Sequence, residues 1–306
     1  MSTRPEEADP TSIPRPKTTV LTLAEKRRRG EPITMLTAYD YPTARVVDAA
    51  GIDAILVGDS LAMVVLGHPN TLSVTMEEML HHARAVSRGA SSALLIGDMP
   101  FMSYQAEPAE AVRNAGRFLQ EAGMDAVKLE GGRSVAETIR GIVRAGIPVQ
   151  GHVGLTPQSL NALGGWRVQG RTAPAAKAVL DDALALEDAG CFAIVIESVP
   201  YRLAALITER LSIPTIGIGA GASTSGQVLV INDLLGLYDR FTPKFAKRYA
   251  ELAQAEAIAI AQYKAEVESH AFPTREHSYA IPDQEWQDFL ASLGSRISEA
   301  SEGKAR

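Results

Sequence analysis

The sequence is poor in cysteine, in long apolar runs and in excess positive charge. Cys191 is the only cysteine among 306 residues, which excludes an intrachain disulfide and a zinc site built on several cysteines. No segment approaches about 18 unbroken apolar residues, the length that crosses a bilayer, so we expect no membrane span. The formal net charge of −6 gives no basic footprint for nucleic acid. The remaining composition, 46% hydrophobic and 22% charged, is that of an ordinary globular protein.

The two ends of the chain differ from its middle. Residues 1–17 mix prolines with acidic side chains and lack the apolar core of a signal peptide, so we predict a disordered tail and a cytoplasmic protein. Near the other end, the pattern predicts a long Ala-rich helix over residues 245–267 and a polar loop over 271–282. A short helix over 284–293 and a loose tail from 295 follow, so residues 280–306 are expected to be an extension that is partly helical or disordered.

Short apolar segments alternate with helical segments between these ends. Each is a continuous apolar run, a pattern typical of strands that are buried on both faces of a parallel sheet. The predicted strands cover residues 33–39, 54–58, 93–97, 126–129, 148–151, 192–196, 214–218 and 228–231. Eight such strands predict an α/β protein with a (β/α)8 TIM barrel over residues 18–279 and a C-terminal helical extension.

A recurring Ala-Gly pair supports this assignment. It occurs at residues 50–51, 122–123, 145–146 and 189–190, each time just before a predicted strand. Glycine accepts the left-handed conformation that ends a helix, so these pairs indicate repeated helix-to-strand loops. The alternative is an open doubly wound sheet, which would normally carry a Gly-rich phosphate loop after its first strand. That strand instead ends Thr37-Ala38-Tyr39-Asp40, which favours the barrel.

Charged side chains follow the predicted strands at their carboxyl ends. Strands two, three, four and six end in acids, strand four also carries a lysine, and strand five ends in a histidine. These residues are Asp59, Asp98, Lys128, Glu130, His152 and Glu197. In a TIM barrel this end is the mouth where the active site forms.

Four buried carboxylates need compensating positive charge. One lysine, Lys128, cannot neutralise the set, and oxygen ligands without clustered Cys or His favour Mg²⁺ or Mn²⁺ over zinc. The sequence therefore predicts a divalent cation at the mouth. Lys128 could alternatively form a Schiff base, although nearby acids favour its protonated form. His152 could be a structural histidine.

The combined motifs resemble those of the ketopantoate hydroxymethyltransferase family over about residues 18–279. In sequence order they are VGDS at 57–60, GH at 67–68, KLEGG at 128–132, GHVGLTPQ at 151–158, VQGR at 168–171, IGIGAG at 216–221, PKF at 243–245 and EHSY at 276–279. The resemblance implies that 3-methyl-2-oxobutanoate is hydroxymethylated by 5,10-methylenetetrahydrofolate, giving 2-dehydropantoate and tetrahydrofolate through a Mg-stabilised enolate in pantothenate biosynthesis. It also implies a homo-oligomer, commonly a decamer.

The resemblance also assigns roles to individual residues. It makes Asp59, Asp98 and Glu130 the Mg²⁺ ligands and Glu197 the catalytic base. It places Asp59, Ser60, Asp98, Lys128 and His152 at the substrate. Two alternatives stay open at this point: a Mg-dependent lyase or isomerase of 2-oxo acids on the same barrel, and a non-catalytic barrel that binds a metabolite.

Overall fold

Eight strands close into a parallel barrel in the order in which they occur along the chain. A computed structural model describes residues 15–238, 240, 241 and 243–302. The strands are β1 (Ile33–Thr37), β2 (Ala54–Val57), β3 (Leu94–Asp98), β4 (Ala126–Lys128), β5 (Val149–Gly154), β6 (Ala193–Glu197), β7 (Thr215–Ile218) and β8 (Gly226–Leu229). The TIM barrel predicted from the sequence is confirmed.

The apolar runs explain this topology. Every residue of β2 and β3 is buried, as expected of strands that have the barrel interior on one face and helices on the other. All eight predicted strands are present, with small shifts at their ends. The clearest shift is in β5, which continues to Gly154 because its last residues keep pairing with Ile194–Glu197 of β6.

Helices connect the strands on the outside of the barrel. Those of the barrel unit are α1 (Val20–Arg29), α2 (Tyr41–Ala49), α3 (Leu61–Val64), α4 (Met76–Gly89), α5 (Pro108–Ala122), α6 (Ala136–Arg144), α7 (Leu160–Leu163), α8 (Ala173–Asp188), α9 (Tyr201–Arg210) and α10 (Ile231–Leu235). Their ends follow the local sequence. Asp40 caps α2 by accepting the Thr43 N–H at 2.8 Å, and the predicted Ala-Gly ends are confirmed, as at Gly123 with a φ of 67°.

The hydrophobic core has two layers. The inner layer fills the barrel and contains Met35, Leu56 and Ile216, together with Leu23 of α1. The outer layer lies between the strands and the surrounding helices, with fully buried residues such as Phe118 of α5 and Leu80 of α4. The polar side chains at the mouth are therefore held by strands that are fixed on both faces.

The chain divides into two units, of which the first ends at Glu251 and the second begins at Leu252. The barrel lies within the first unit, whereas the predicted domain over residues 18–279 runs into the second. The second unit contains α11 (Leu252–Glu268) and α12 (Asp283–Glu302). None of the helices in the described part of the chain combines the length and hydropathy that a bilayer crossing needs.

Two expectations for the C-terminal region are wrong. The long helix begins at Leu252 and not at residue 245, because the preceding segment turns after Pro243 and the Tyr249 N–H donates to the Leu234 carbonyl. The last helix continues to Glu302 and does not end at residue 293. Gly294 follows the predicted end, but a single glycine is tolerated inside a helix, and residues 294–302 contain no proline to end it. Residues 303–306 lie outside the described part.

The predicted N-terminal tail over residues 1–17 falls mostly on residues 1–14, which lie outside the described part of the chain. The following residues contact the barrel unit. Arg15 donates to the Ile52 carbonyl at 2.8 Å, and Lys17 forms an ion pair with Asp125 at 2.6 Å.

Candidate active site

The carboxyl ends of five neighbouring strands bring the predicted polar residues together. Asp59 follows β2, Asp98 ends β3, Lys128 ends β4, and Glu130 lies two residues further. His152 lies in β5 and Glu197 ends β6. Residues two apart on a strand point to the same face, so Lys128 and Glu130 enter the same space. All are buried except Glu197, whose side chain is 14% exposed.

Five of these side chains form a chain of alternating charges. Lys128 Nζ lies 2.9 Å from Asp98 Oδ1 and 3.9 Å from Glu130 Oε1. His152 Nδ1 lies 3.5 Å from the same Glu130 oxygen, and its Nε2 lies 3.2 Å from Glu197 Oε2. Each cation thus lies between two anions. Lys128 Nζ and His152 Nδ1 are also 3.4 Å apart, so the surrounding carboxylates offset the repulsion between these two cations as well as the cost of burying them.

The two cations stay charged at neutral pH. Burial opposes the charge on Lys128, but Asp98, Glu130 and Asp59 outweigh it and hold the lysine pKa above its usual range. Burial and Lys128 likewise oppose the charge on His152, but Glu130 and Glu197 raise its pKa to about 9. A protonated lysine is no nucleophile, so the arrangement disfavours the Schiff-base alternative.

The carboxylates differ in how well they are compensated. Burial, together with the neighbouring Asp98 and Glu130 charges, raises the pKa of Asp59 well above its usual value. Burial also raises the pKa of Asp98, whose Oδ2 accepts the Asp59 backbone N–H at 3.1 Å. Although burial works against its charge too, Glu130 has a lowered pKa because His152, Lys128 and the Gln158 N–H stabilise it. The excess negative charge therefore lies at Asp59 and Asp98.

Two buried polar atoms of the cluster lack a well-directed hydrogen bond within the described part of the chain. They are Asp98 Oδ1 and His152 Nε2, which have only the ion contacts given above. Buried polar groups are normally hydrogen-bonded, so such atoms in a charged cluster are typical of a site that receives a ligand. Asp98 Oδ1 can accept a hydrogen bond from a ligand, and His152 Nε2 can donate one when the imidazole is protonated.

The arrangement of the aspartates suits a hard divalent cation. Mg²⁺ binds oxygen ligands, keeps several waters and is commonly held by one or two carboxylates together with the substrate. Asp59 and Asp98 supply such oxygens, and a dication between them would offset the cost of burial that raises both pKa values. Glu130 is engaged differently, since its Oε2 accepts the Gln158 N–H at 2.9 Å. In the described residues no group of three or more acidic, His or Cys side chains is spaced to enclose an ion, so the three-carboxylate ligand set stays a prediction.

Sequence reasoning missed two residues that hold the site in place. Gln158, in the loop after β5, donates from Nε2 to Asp59 Oδ2 at 2.9 Å and to the Met99 carbonyl at 3.0 Å. Its Oε1 accepts the Tyr104 hydroxyl at 2.6 Å, and that hydroxyl also accepts the Glu130 N–H at 3.1 Å. Gln158 closes the motif at residues 151–158, which was a usable signal. Tyr104 lies in the loop after β3, where nothing in the sequence distinguishes it.

Ser60, the remaining predicted substrate residue, follows Asp59 at the start of α3. Its hydroxyl forms a hydrogen bond of 2.8 Å with Tyr39 OH, and Tyr39 is buried in the loop between β1 and α2. The serine is therefore at the same mouth as the charged cluster, on the side of β1 and β2.

A closed parallel barrel with alternating charges buried at its carboxyl-end mouth defines a TIM-barrel enzyme that acts on a small polar substrate. Residues 17–275 match the model of a family described as ketopantoate hydroxymethyltransferase. The chain belongs to this family of one-carbon group transferases.

Curated relatives agree with this assignment. Over 277 residues the chain is 56% identical to the 3-methyl-2-oxobutanoate hydroxymethyltransferase of Oleidesulfovibrio alaskensis, an alignment that covers 89% of this chain and 96% of that protein. Over 263 residues it is 58% identical to the protein of the same name from Syntrophobacter fumaroxidans, an alignment that covers 86% of this chain and 93% of that protein. These relatives favour the transferase over the lyase and the non-catalytic barrel.

Solved structures share the fold at low sequence identity. A phosphonopyruvate hydrolase superposes with a TM-score of 0.57 at 14% identity, covering 93% of this chain and 98% of that one. A 2,3-dimethylmalate lyase gives a TM-score of 0.52 at 16% identity, covering 93% and 99%. At such identities the likeness supports the barrel alone.

Proposed function

We propose that the protein hydroxymethylates 3-methyl-2-oxobutanoate with 5,10-methylenetetrahydrofolate, giving 2-dehydropantoate and tetrahydrofolate in pantothenate biosynthesis. The substrate is the one in the names of relatives that are 56% and 58% identical to the chain. The observation that carries the proposal is the buried charge chain from Asp98 through Lys128, Glu130 and His152 to Glu197. It combines an anion-binding part with a carboxylate positioned to accept a proton.

The positive groups bind the 2-oxo acid. Its carboxylate and ketone oxygens are acceptors, and Lys128 is a buried, fully protonated donor. The Ser60 hydroxyl offers a second donor, and the His152 imidazolium, whose Nε2 lies 3.2 Å from Glu197 Oε2, adds positive charge beside the substrate. These donors fix the orientation of the substrate before any bond changes.

Asp59 and Asp98 would hold Mg²⁺, with Glu130 as the third ligand that the family resemblance implies. The carboxylate oxygens fit the ion, and Asp98 Oδ1 is the buried oxygen that lacks a well-directed hydrogen bond. When bound, Mg²⁺ supplies positive charge next to the ketone oxygen of the substrate, where negative charge develops on enolisation. The protein contributes the position of the two aspartates, which Gln158 and the Asp59 N–H maintain.

Glu197 serves as the base that removes the proton from C3 of the substrate. It is the most exposed carboxylate of the charge chain, and His152 holds one of its oxygens at 3.2 Å. The second oxygen can then face the substrate carbon, because the imidazolium fixes the orientation of the carboxylate. Replacing His152 would leave Glu197 free to rotate.

The overall reaction balances without an oxidant or reductant. The C3–H bond breaks and C3 forms a bond to the methylene carbon of the donor. Both bonds from that carbon to folate nitrogens break, and one water supplies the oxygen of the new hydroxyl. The C3 proton and the second water proton end on the two nitrogens, so tetrahydrofolate leaves neutral at those positions.

A coupled assay tests this proposal. Purified protein is incubated with 3-methyl-2-oxobutanoate, 5,10-methylenetetrahydrofolate and Mg²⁺, and 2-dehydropantoate is measured. We expect product only when the folate is present and little after EDTA treatment. Activity that survives EDTA, or no product with all components supplied, would contradict the proposal. Cleavage of 2-oxo acids without folate would favour a lyase.

The resemblance further supports a homo-oligomer, commonly a decamer, and we also propose a cytoplasmic location. Sedimentation velocity would measure the assembly directly. A monomer at micromolar concentration would contradict the oligomer.

A further inference from the structure

A cavity of about 300 Å³ lies beside the mouth, between the loop after β5 and helix α8. Its walls include Val153, Gly154, Gln169, Ala175, Ala178 and Asp182, and we call it the side pocket. This volume is at the small end of ligand pockets, enough for one fused ring system but not for a long extended molecule. None of these residues belongs to the charge chain described above.

The side pocket adjoins the proposed base. Gly154 pairs in register with Glu197 across β5 and β6, and the Gln169 N–H donates to the Ser198 carbonyl at 2.9 Å. Glu197 is also the exposed end of the charge chain, with 14% of its side chain accessible against 2% for Asp98. Val153 faces α8 on the outside of the barrel, whereas Glu197 faces His152 at the mouth, so a molecule in the side pocket reaches Glu197 over the carboxyl ends of β5 and β6.

The chemistry of the walls favours a flat, hydrogen-bonding ring. Ala175, Ala178 and Val153 provide an apolar surface of small side chains. Asp182 provides a carboxylate, and Arg133 fixes its orientation by donating to Oδ1 from the backbone N–H at 3.1 Å and from Nε at 2.9 Å. Oδ1 already accepts two N–H groups, so Oδ2 is the oxygen left for a ligand, and the N–H edge of an aminopyrimidinone supplies a donor for it.

We propose that the side pocket binds the bicyclic aminopyrimidinone head of the reduced folate donor, with its rings against Ala175 and Ala178 and its N–H edge on Asp182. The inference rests on the proposed function, because it takes the folate as donor. The remainder of the folate extends into solvent, since the pocket holds only the ring system. The methylene carbon then extends over the Gly154 end of β5 toward Glu197.

Direct binding tests this assignment. Tetrahydrofolate is titrated calorimetrically into the full-length protein in the presence of 3-methyl-2-oxobutanoate and Mg²⁺. We expect Ala178→Leu, which fills the pocket, to weaken binding at least about tenfold. Asp182→Asn should weaken it by roughly tenfold, the worth of one hydrogen bond to a charged group. Ala173→Leu, the same substitution at an exposed position of α8 outside the pocket, is the matched control and should bind like the unmodified protein.

Deuterium exchange at C3 of 3-methyl-2-oxobutanoate needs no folate, and it reports that each variant is folded and binds the 2-oxo acid. If both pocket variants exchange and still bind tetrahydrofolate as tightly as the unmodified protein, the pocket assignment is wrong. If the unmodified protein neither exchanges C3 nor binds tetrahydrofolate, the proposed function itself fails. Should Ala178→Leu not fold, Asp182→Asn alone decides, because it preserves the shape of the side chain.

Discussion

Replacing Gln158 by alanine would remove the side chain that links Asp59, Tyr104 and the loop after β3. The backbone N–H of residue 158, which donates to Glu130 Oε2, survives in the variant. What is lost is the Nε2 donation to Asp59 Oδ2 and to the Met99 carbonyl, and the Oε1 acceptor for Tyr104. The variant therefore tests whether this amide positions the aspartate.

The expected destabilisation follows from the groups left behind. A buried group without its hydrogen bond costs about 1–3 kcal/mol, and the variant leaves two such acceptors, Asp59 Oδ2 and the Met99 carbonyl. Tyr104 keeps its contact with Glu130. Because water can enter a polar cavity of this kind, we expect the lower half of the range, about 2–4 kcal/mol in the free energy of unfolding. Loss of a residue that orients a metal ligand should also weaken Mg²⁺ binding by about 10–100-fold.

Urea denaturation and a calorimetric Mg²⁺ titration measure the two effects. Gln105→Ala is the control, because Gln105 is exposed and donates to the same Gln158 oxygen at 3.1 Å without touching Asp59. It should change stability by no more than about 0.5 kcal/mol. A Gln158→Ala variant with the stability and Mg²⁺ affinity of the unmodified protein would refute the positioning role.

Three further predictions concern the scaffold. Burial works against the charge of Asp48, but three consecutive backbone N–H groups before β3 outweigh burial and lower the pKa of this carboxyl. Asp48→Asn should therefore lower the urea midpoint at pH 7, and this deficit should shrink as the pH falls below about 4, where the unmodified carboxylate is protonated. An unchanged deficit at pH 3 would contradict this. Gly154→Ala should lower the free energy of unfolding by at least about 1–3 kcal/mol in the same denaturation, because the φ of Gly154 is 96° and an added methyl would lie 2.2 Å from a backbone oxygen of β6. The control is Gly116→Ala on α5, where the methyl would meet open space, and this variant should be neutral or stabilising. Burial raises the pKa of Cys191 to about 12, so a thiol reagent at pH 8 should label it only in denaturant, and rapid labelling of the native protein would contradict its burial.

Much of the barrel could be predicted from the sequence. Strands buried on both faces leave a continuous apolar run, and that signal located all eight. The charged residues at strand ends were equally visible, because a mouth built by parallel strands must collect them at one end. Asp98, Lys128 and Glu197 are therefore together in the structure although they are far apart along the chain.

The rest depends on contacts that no local pattern encodes. Gln158 and Tyr104 come from two different loops and meet only after the barrel closes. The order of charges in the mouth, in which His152 lies between Glu130 and Glu197, depends on side-chain geometry across strands. The start of α11 was predicted too early because an Ala-rich sequence favours helix. In the structure the Tyr249 N–H donates to the Leu234 carbonyl and not to a carbonyl one helical turn earlier.

Folate-free exchange of the C3 proton of 3-methyl-2-oxobutanoate, followed by NMR in deuterium oxide, tests the site most directly. The unmodified protein should exchange this proton in Mg²⁺ and stop after EDTA treatment. Glu197→Gln should lose about 100-fold or more of the rate while keeping the 2-oxo acid affinity, because only the proton acceptor is removed. Exchange at the unmodified rate in Glu197→Gln, or in EDTA, would contradict the account of a metal-assisted enolisation with Glu197 as base.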